Sequence, residues 1–122
     1  MMEKIQIVTP VYNEEKNIYA TIENFFKEYS NNKFEISFII SEDGSTDNSI
    51  NIINKLKKTY DIKLLSSPER KNYTDAVLIG LREANSNIIS FVDSDGQYDP
   101  KDLKSFYLYF LMKYEICSIS LW

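Results

Sequence analysis

Asp93 and Asp95 stand two residues apart, directly after the apolar run Ile88-Ile89-Ser90-Phe91-Val92. Carboxylates held this close repel each other. A divalent cation relieves that repulsion. Mg²⁺ or Mn²⁺ takes a few carboxylate oxygens and completes its shell with water and ligand phosphates. Such an ion neutralises a diphosphate and assists it as a leaving group. The same four residues, Asp93-Ser94-Asp95-Gly96, are also ordinary turn chemistry, so the spacing alone leaves both readings open. A second acidic pair, Glu42-Asp43, follows the apolar run Phe38-Ile39-Ile40. The chain has no histidine. That excludes His-based triads, His zinc sites and imidazole acid–base catalysis. Chemistry here must run on carboxylates, amines, guanidinium groups, hydroxyls, amides or a bound metal.

The elements that position these pairs are legible as alternating strands and helices. Residues 5–8 read as a buried strand ending at Thr9-Pro10. Asn13-Glu14-Glu15 opens a helix whose apolar face is Ile18, Ile22, Phe25, Phe26 and Tyr29, closed by Ser30-Asn31-Asn32. Residues 34–40 form a second strand, and Glu42-Asp43-Gly44-Ser45 reads as a turn. Thr46 or Asp47 can cap the next helix, with Ile50, Ile53 and Leu56 as its stripe. Residues 62–65 are a third strand, 72–84 a third helix and 88–92 a fourth strand. Pro100 suits the first turn of a fourth helix reaching about residue 112, and residues 116–122 read as a fifth strand. The pattern indicates an α/β domain with a mainly parallel sheet. Both acidic pairs then fall past the carboxyl ends of strands, on the rim where open α/β sheets bind ligands.

Bulk properties set further bounds. The chain has 122 residues, which suits one domain. Apolar residues are 43 % and aromatics 14 %, enough for a folded core. The net charge of −4 gives no bulk attraction for nucleic acid. An anionic ligand would therefore need local compensation, for which a divalent cation is the usual source. Cys117 is the single cysteine, so no intrachain disulfide forms. The N-terminus does not read as a signal peptide. The longest apolar run, residues 106–112, is far short of a membrane span. A cytoplasmic location is expected.

Asp93-Ser94-Asp95-Gly96-Gln97-Tyr98-Asp99-Pro100 resembles the Asp-x-Asp-Gly-Gln-x-Asp-Pro signature of family 2 glycosyltransferases, and within them of enzymes that move a hexose onto a polyprenyl phosphate. Three further segments agree in order. Thr9-Pro10-Val11-Tyr12-Asn13-Glu14-Glu15 is similar to the family's first-strand signature. Ser41-Glu42-Asp43-Gly44-Ser45-Thr46-Asp47 is similar to the second-strand signature, with Glu42 where aspartate is usual. Arg70-Lys71-Asn72 with Ala76 and Gly80 resembles the third-helix region. Relatives often carry glycines at the start of that helix, whereas Tyr73, Thr74 and Asp75 stand there in this chain.

The resemblance covers about residues 4 to 105. It implies a Rossmann-like GT-A fold, with residues 1–122 as the donor-binding part of a single domain. It implies that Pro10, Val11, Tyr12 and Glu14 lie against the nucleoside, and that Asp43 accepts hydrogen bonds from base or ribose. Asp93, Ser94 and Asp95 would lie at the diphosphate, with Asp93, Asp95 and Gln97 holding Mg²⁺ or Mn²⁺. The expected reaction is inverting, metal-dependent transfer of a hexose from a nucleotide-diphosphate sugar, with polyprenyl phosphate as an expected acceptor. The acceptor part and the catalytic base are expected beyond residue 122. The alternative is a truncated, non-catalytic domain that at most binds nucleotide sugar. The aromatic tail, with Phe106, Tyr107, Tyr109, Phe110, Tyr114 and Trp122, reads as buried helix and strand, or as a surface favouring homo-oligomers. Peripheral attachment at the inner face of a membrane is a further expectation.

Other uses of paired aspartates fit poorly. Haloacid-type phosphatases and receiver domains need acidic residues after the first strand, where Thr9-Pro10 stand. A dinucleotide-binding fold would need a glycine-rich turn there. The chain's three glycines all lie elsewhere.

Overall fold

The computed structural model describes residues 3–29, 34–97 and 99–101. The readings of a helix to residue 112, a strand at 116–122 and the aromatic tail fall outside them. Four strands and three helices alternate along the chain: β1 (Glu3–Val11), α1 (Ile18–Tyr29), β2 (Phe34–Asp43), α2 (Ser49–Leu56), β3 (Ile62–Ser67), α3 (Tyr73–Glu83) and β4 (Ile88–Phe91). The strands form one parallel sheet in the order β3-β2-β1-β4. Strand order reverses at β1, and the crevice of an open α/β sheet lies above that reversal.

Alternation along β1 decides which side of the sheet each helix covers. Ile5, Ile7 and Val11 point into a core completed by Ile18, Ile22 and Phe25 of α1, and by Ile53 and Leu56 of α2. Phe38 of β2 sits between Phe25, edge-on at 5.7 Å, and Phe26, tilted at 5.6 Å. Each such side chain taken fully from water stabilises the fold by about 1.5–3 kcal/mol. Val8 points to the opposite side, where α3 packs on β1 and β2. Gly80 makes that approach possible, since a Cβ there would lie 2.5 Å from Val8 Cγ1. Among the described residues no helix is long and apolar enough to cross a membrane.

Three strands run longer than their sequence suggests: β1, β2 and β3, the last of which reaches Ser67 rather than residue 65. Pro10 does not end β1. Pairing with β2 continues through Val11↔Glu42, whereas pairing with β4 stops at Val8↔Phe91. Val8 offers its carbonyl to Val92 N–H, so Pro10, two residues on, turns the same way. Its missing N–H therefore falls past the end of the β4 ladder and leaves no bond unmade. Likewise Glu42 and Asp43 are not a turn. They are the last residues of β2, paired with Ser66 and Ser67 of β3.

The loops after β1 and β2 are laced together. Asn13 Oδ1 accepts from Thr46 N–H (2.8 Å) and Asp47 N–H (3.2 Å), and Asn13 N–H donates to Ser45 Oγ (3.0 Å). Glu14 N–H donates to Ser49 Oγ (2.9 Å), and Asn48 N–H donates to Glu15 Oε2 (3.1 Å). Asn48 is the N-cap of α2, and its side chain makes no capping bond. Asp47, one residue earlier, accepts from Ser49 N–H (2.9 Å) and reaches across to Glu15 N–H (3.1 Å). Neither Thr46 nor Asp47, the two caps open in the sequence, holds the N-cap position, because the helix starts later, at Ser49.

Burial alone pushes the Asp47 carboxyl up. The Ser49 hydroxyl and N–H and the Glu15 N–H outweigh that and hold it below the usual carboxylate range. A lowered folded-state value means that this stabilisation is present above the unfolded carboxylate value, about 3.9, and is lost as pH falls through the folded value. Asp47→Asn turns charge-assisted hydrogen bonds into neutral ones and should therefore cost about 1 kcal/mol at pH 7. The gap to wild type should close as pH falls below the unfolded value. Urea unfolding across that range reads this, and a gap independent of pH contradicts the assignment.

Candidate functional site

The carboxyl ends of β1, β2 and β4 open into a cleft of about 310 Å³. Its parts arrive from five segments. Pro10 and Val11 come from the end of β1, and Tyr12 and Glu14 from the loop after it. Asp43 ends β2, and Arg70 comes from the loop after β3. Tyr73 and Ala76 stand on the first turn of α3. Asp93, Ser94 and Asp95 follow β4. All eight residues expected at the nucleotide and diphosphate thus line one cavity. Gln97 does not line it. Its side chain is exposed, and its backbone N–H donates to Asp95 Oδ1 at 3.1 Å.

The two acids at the end of β2 divide their work. Glu42 is 2 % exposed and faces away from the cleft. Its carboxylate accepts from Ser45 N–H (2.6 Å), Gly44 N–H (3.3 Å) and Ser66 Oγ (3.3 Å). It closes its own turn and grips β3, which a buried carboxylate needs in order to be tolerated. Asp43, the next residue, points to the opposite side, as alternation requires. It lines the cleft and accepts from Lys71 N–H at 2.8 Å. That contact ties the β3–α3 loop to the sheet and delivers Arg70, whose guanidinium carbon lies 3.6 Å from the centre of the Tyr12 ring. Arg70 thereby stacks as a cation on an aromatic face. Arg70 and Lys71 play different parts. Arg70 lies in the cleft, whereas Lys71 contributes its backbone.

At the other end of the cleft, Asp93 Oδ1 accepts from the Tyr73 hydroxyl at 2.8 Å. Ser94 is 5 % exposed. Tyr73 was not among the expected site residues. Its one signal was that it stands where relatives often carry glycine.

Among the described residues four carboxylates, of Glu14, Asp43, Asp93 and Asp95, line the cleft against one guanidinium, that of Arg70. A bare anion entering this field is repelled. Among the described residues no group of three or more acidic, histidine or cysteine side chains is placed to hold a metal alone. That donor set does not suit an all-protein cage. It fits Mg²⁺ or Mn²⁺, which bind through one or two carboxylates and take their remaining oxygens from water and phosphate.

Residues 6–119 match the family model described as Glycosyl transferase family 2. The chain belongs to that family. It is 27 % identical over 104 residues to the undecaprenyl-phosphate 4-deoxy-4-formamido-L-arabinose transferase of Proteus mirabilis, covering 84 % of this chain and 32 % of that protein. The chain spans about a third of the length of the curated relatives it matches. Among solved structures it resembles S. aureus TarS 1–349 in complex with UDP-GlcNAc, with a TM-score of 0.76 at 23 % identity, covering 91 % of this chain and 32 % of that one. It also resembles the mannosyltransferase PcManGT from Pyrobaculum calidifontis in complex with GDP-Man and Mn²⁺, with a TM-score of 0.67 at 22 % identity, covering 78 % and 28 %. At these identities the likeness establishes the fold: a Rossmann-like GT-A sheet flanked by helices.

Proposed function

We propose that this family 2 chain forms the donor-binding part of an inverting, metal-dependent glycosyltransferase that moves a hexose from a nucleotide-diphosphate sugar to a polyprenyl phosphate. The observation that carries the reading is the single cleft in which Asp93 and Asp95 face Asp43 and the Pro10–Tyr12 segment. Its shape offers two chemically distinct ends. Asp43 and the Tyr12 loop present acceptors and an aromatic ring, suited to a base and ribose. Asp93, Ser94 and Asp95 present the acidic end, suited to a cation with its diphosphate.

Asp93 and Asp95 would hold Mg²⁺ or Mn²⁺, which when bound supplies charge neutralisation for the departing diphosphate. Support for a divalent ion comes from the donor set and from the Mn²⁺ in the PcManGT complex. The protein's own residues do the positioning. Asp43 orients the nucleoside by accepting its hydrogen bonds, and the Tyr12 ring bounds the base. Among the described residues Arg70 supplies the one positive charge of the lining. With the donor fixed, an acceptor oxygen attacks C1 of the sugar from the face opposite the diphosphate. The new C1–O bond forms as the bond to the diphosphate breaks, and the configuration inverts. A polyprenyl phosphate is already anionic at its attacking oxygen, so this transfer needs little help from a general base. The Proteus mirabilis relative, named as an undecaprenyl-phosphate sugar transferase, supports that acceptor class.

The test is a calorimetric panel of UDP-, GDP- and dTDP-sugars, with and without Mn²⁺, on wild type and Asp95→Ala. One nucleotide should bind only with metal, and Asp95→Ala should abolish that metal-dependent binding. Absence of binding by every donor in both conditions would sink the reading.

A further inference from the structure

We propose that Tyr73 is a positioning residue for the cation: its phenol sets the orientation of Asp93 and thereby the metal affinity of the cleft. The inference rests on the donor-site reading above and goes beyond it. It concerns a residue that the motif does not contain, at the start of α3.

Three observations make the contact a built one. The Tyr73 hydroxyl donates to Asp93 Oδ1 at 2.8 Å, and both residues line the same cavity. The backbone that carries Tyr73 is fixed at both ends of its helix segment. Asn72 caps α3 by accepting from Asp75 N–H (2.8 Å) while its amide donates to Asp75 Oδ2 (2.9 Å). Two turns further on, Gly80 sits so close to Val8 that the helix cannot slide inward. The Tyr73 ring is also steered by Phe91 of β4, which it meets edge-on at 6.4 Å and 78°. Tyr73 therefore reaches Asp93 from a capped helix and against a strand residue two positions before it. Yet its side chain remains half exposed, at 53 %, so the hydroxyl is set at the cleft rather than buried in the core.

The chemistry follows from lone pairs. An ionised carboxylate has about four acceptor sites. A phenol that takes one of them leaves the others for a cation, and it removes the carboxylate's freedom to rotate. Partners of this kind that orient a metal ligand typically change metal affinity by about 10–100-fold when removed. Asp95 has a local equivalent in the Gln97 N–H. Asp93 obtains its own from twenty residues away along the chain.

The experiment titrates Mn²⁺ into the protein in the presence of UDP and, separately, of GDP, following the free-ion signal by electron paramagnetic resonance. Wild type, Tyr73→Phe, Tyr73→Ala and Asp95→Ala are compared, and each variant's thermal midpoint is measured without metal. Tyr73→Phe keeps the ring on Phe91 and loses only the hydroxyl. We expect its Mn²⁺ affinity to fall about tenfold with the midpoint unchanged. Tyr73→Ala should lose affinity to a similar degree and also melt earlier. If Tyr73→Phe binds Mn²⁺ as wild type does while Asp95→Ala does not, the role of Tyr73 is overturned and the donor site stands. If Tyr73→Phe melts as early as Tyr73→Ala, its hydroxyl is a structural tie and the proposal fails. If wild type binds no Mn²⁺ with UDP, with GDP or with dTDP added in the same way, the donor-site reading falls and takes this inference with it.

Discussion

Replacing Gly44 with alanine should destabilise the protein by about 2–5 kcal/mol, combining a left-handed backbone that costs a side chain about 1–2 with a backbone collision costing about 1–3. Gly44 has φ +73°, and a Cβ on it would lie 2.4 Å from Arg70 N and 2.5 Å from the Glu69 carbonyl carbon. Both are backbone atoms, so no side chain can swing aside to make room. The β3–α3 loop itself must move. That loop carries the Lys71 N–H bonded to Asp43 and the guanidinium stacked on Tyr12. The damage should therefore appear locally as well as globally. Denaturant unfolding should show the lowered midpoint, and hydrogen exchange should show the Lys71 amide losing protection beyond what the global change explains. An unaltered midpoint would mean that the loop has room the geometry denies it.

Whatever depends on periodicity was readable in the sequence. The isoleucines of β1 and the three- and four-residue spacing of Ile18, Ile22, Phe25 and Tyr29 report a strand and a helix because burial selects one face of each. The parallel sheet follows from the alternation of such elements. The placement of Asp43, Asp93 and Asp95 on one rim follows in turn from strands that all run the same way. The ends of strands were less legible. Thr9-Pro10 and Glu42-Asp43 carry turn-forming residue types, and local chemistry alone reads them as stops. They stay extended because neighbouring strands supply partners: Ser41 and Glu42 pair with Pro10 and Val11, and Ser66 and Ser67 pair with Glu42 and Asp43. Tertiary pairing overrides local preference there.

The contacts that shape the candidate site were the least visible. Arg70 on Tyr12 and Tyr73 on Asp93 join residues far apart in the chain. Nothing in the spacing of an exposed arginine or tyrosine marks its partner. Glu42 shows the same limit in reverse. Beside Asp43 it looks like half of a ligand pair, yet strand alternation sends the two carboxylates to opposite faces, and Glu42 is consumed by Gly44, Ser45 and Ser66.

Asn13→Ala should cost about 2.5–5.5 kcal/mol, the sum of roughly 1 for a left-handed alanine and 0.5–1.5 for each of three lost hydrogen bonds. Asn13 holds φ +51°, the only described residue other than glycine with a positive φ. Asparagine tolerates that region better than most side chains. Its carboxamide uses the position fully. Oδ1 collects the N–H groups of Thr46 and Asp47, and Nδ2 donates to Thr46 Oγ1 at 3.3 Å. Asn13→Gly separates the two contributions. Glycine accepts the backbone conformation and loses the same hydrogen bonds, so it should recover about 1 kcal/mol relative to alanine. The effect should also reach the cleft, because Tyr12 and Glu14, the neighbours of Asn13, both line it. The two variants should then differ in stability but share the same fall in nucleotide affinity, since both release the β1–α1 loop from the β2–α2 loop. Equal unfolding midpoints for Ala and Gly would show that the backbone at Asn13 relaxes freely. Full nucleotide affinity in both would show that the wall of the cleft is held by Glu14 and Ser49, without the carboxamide.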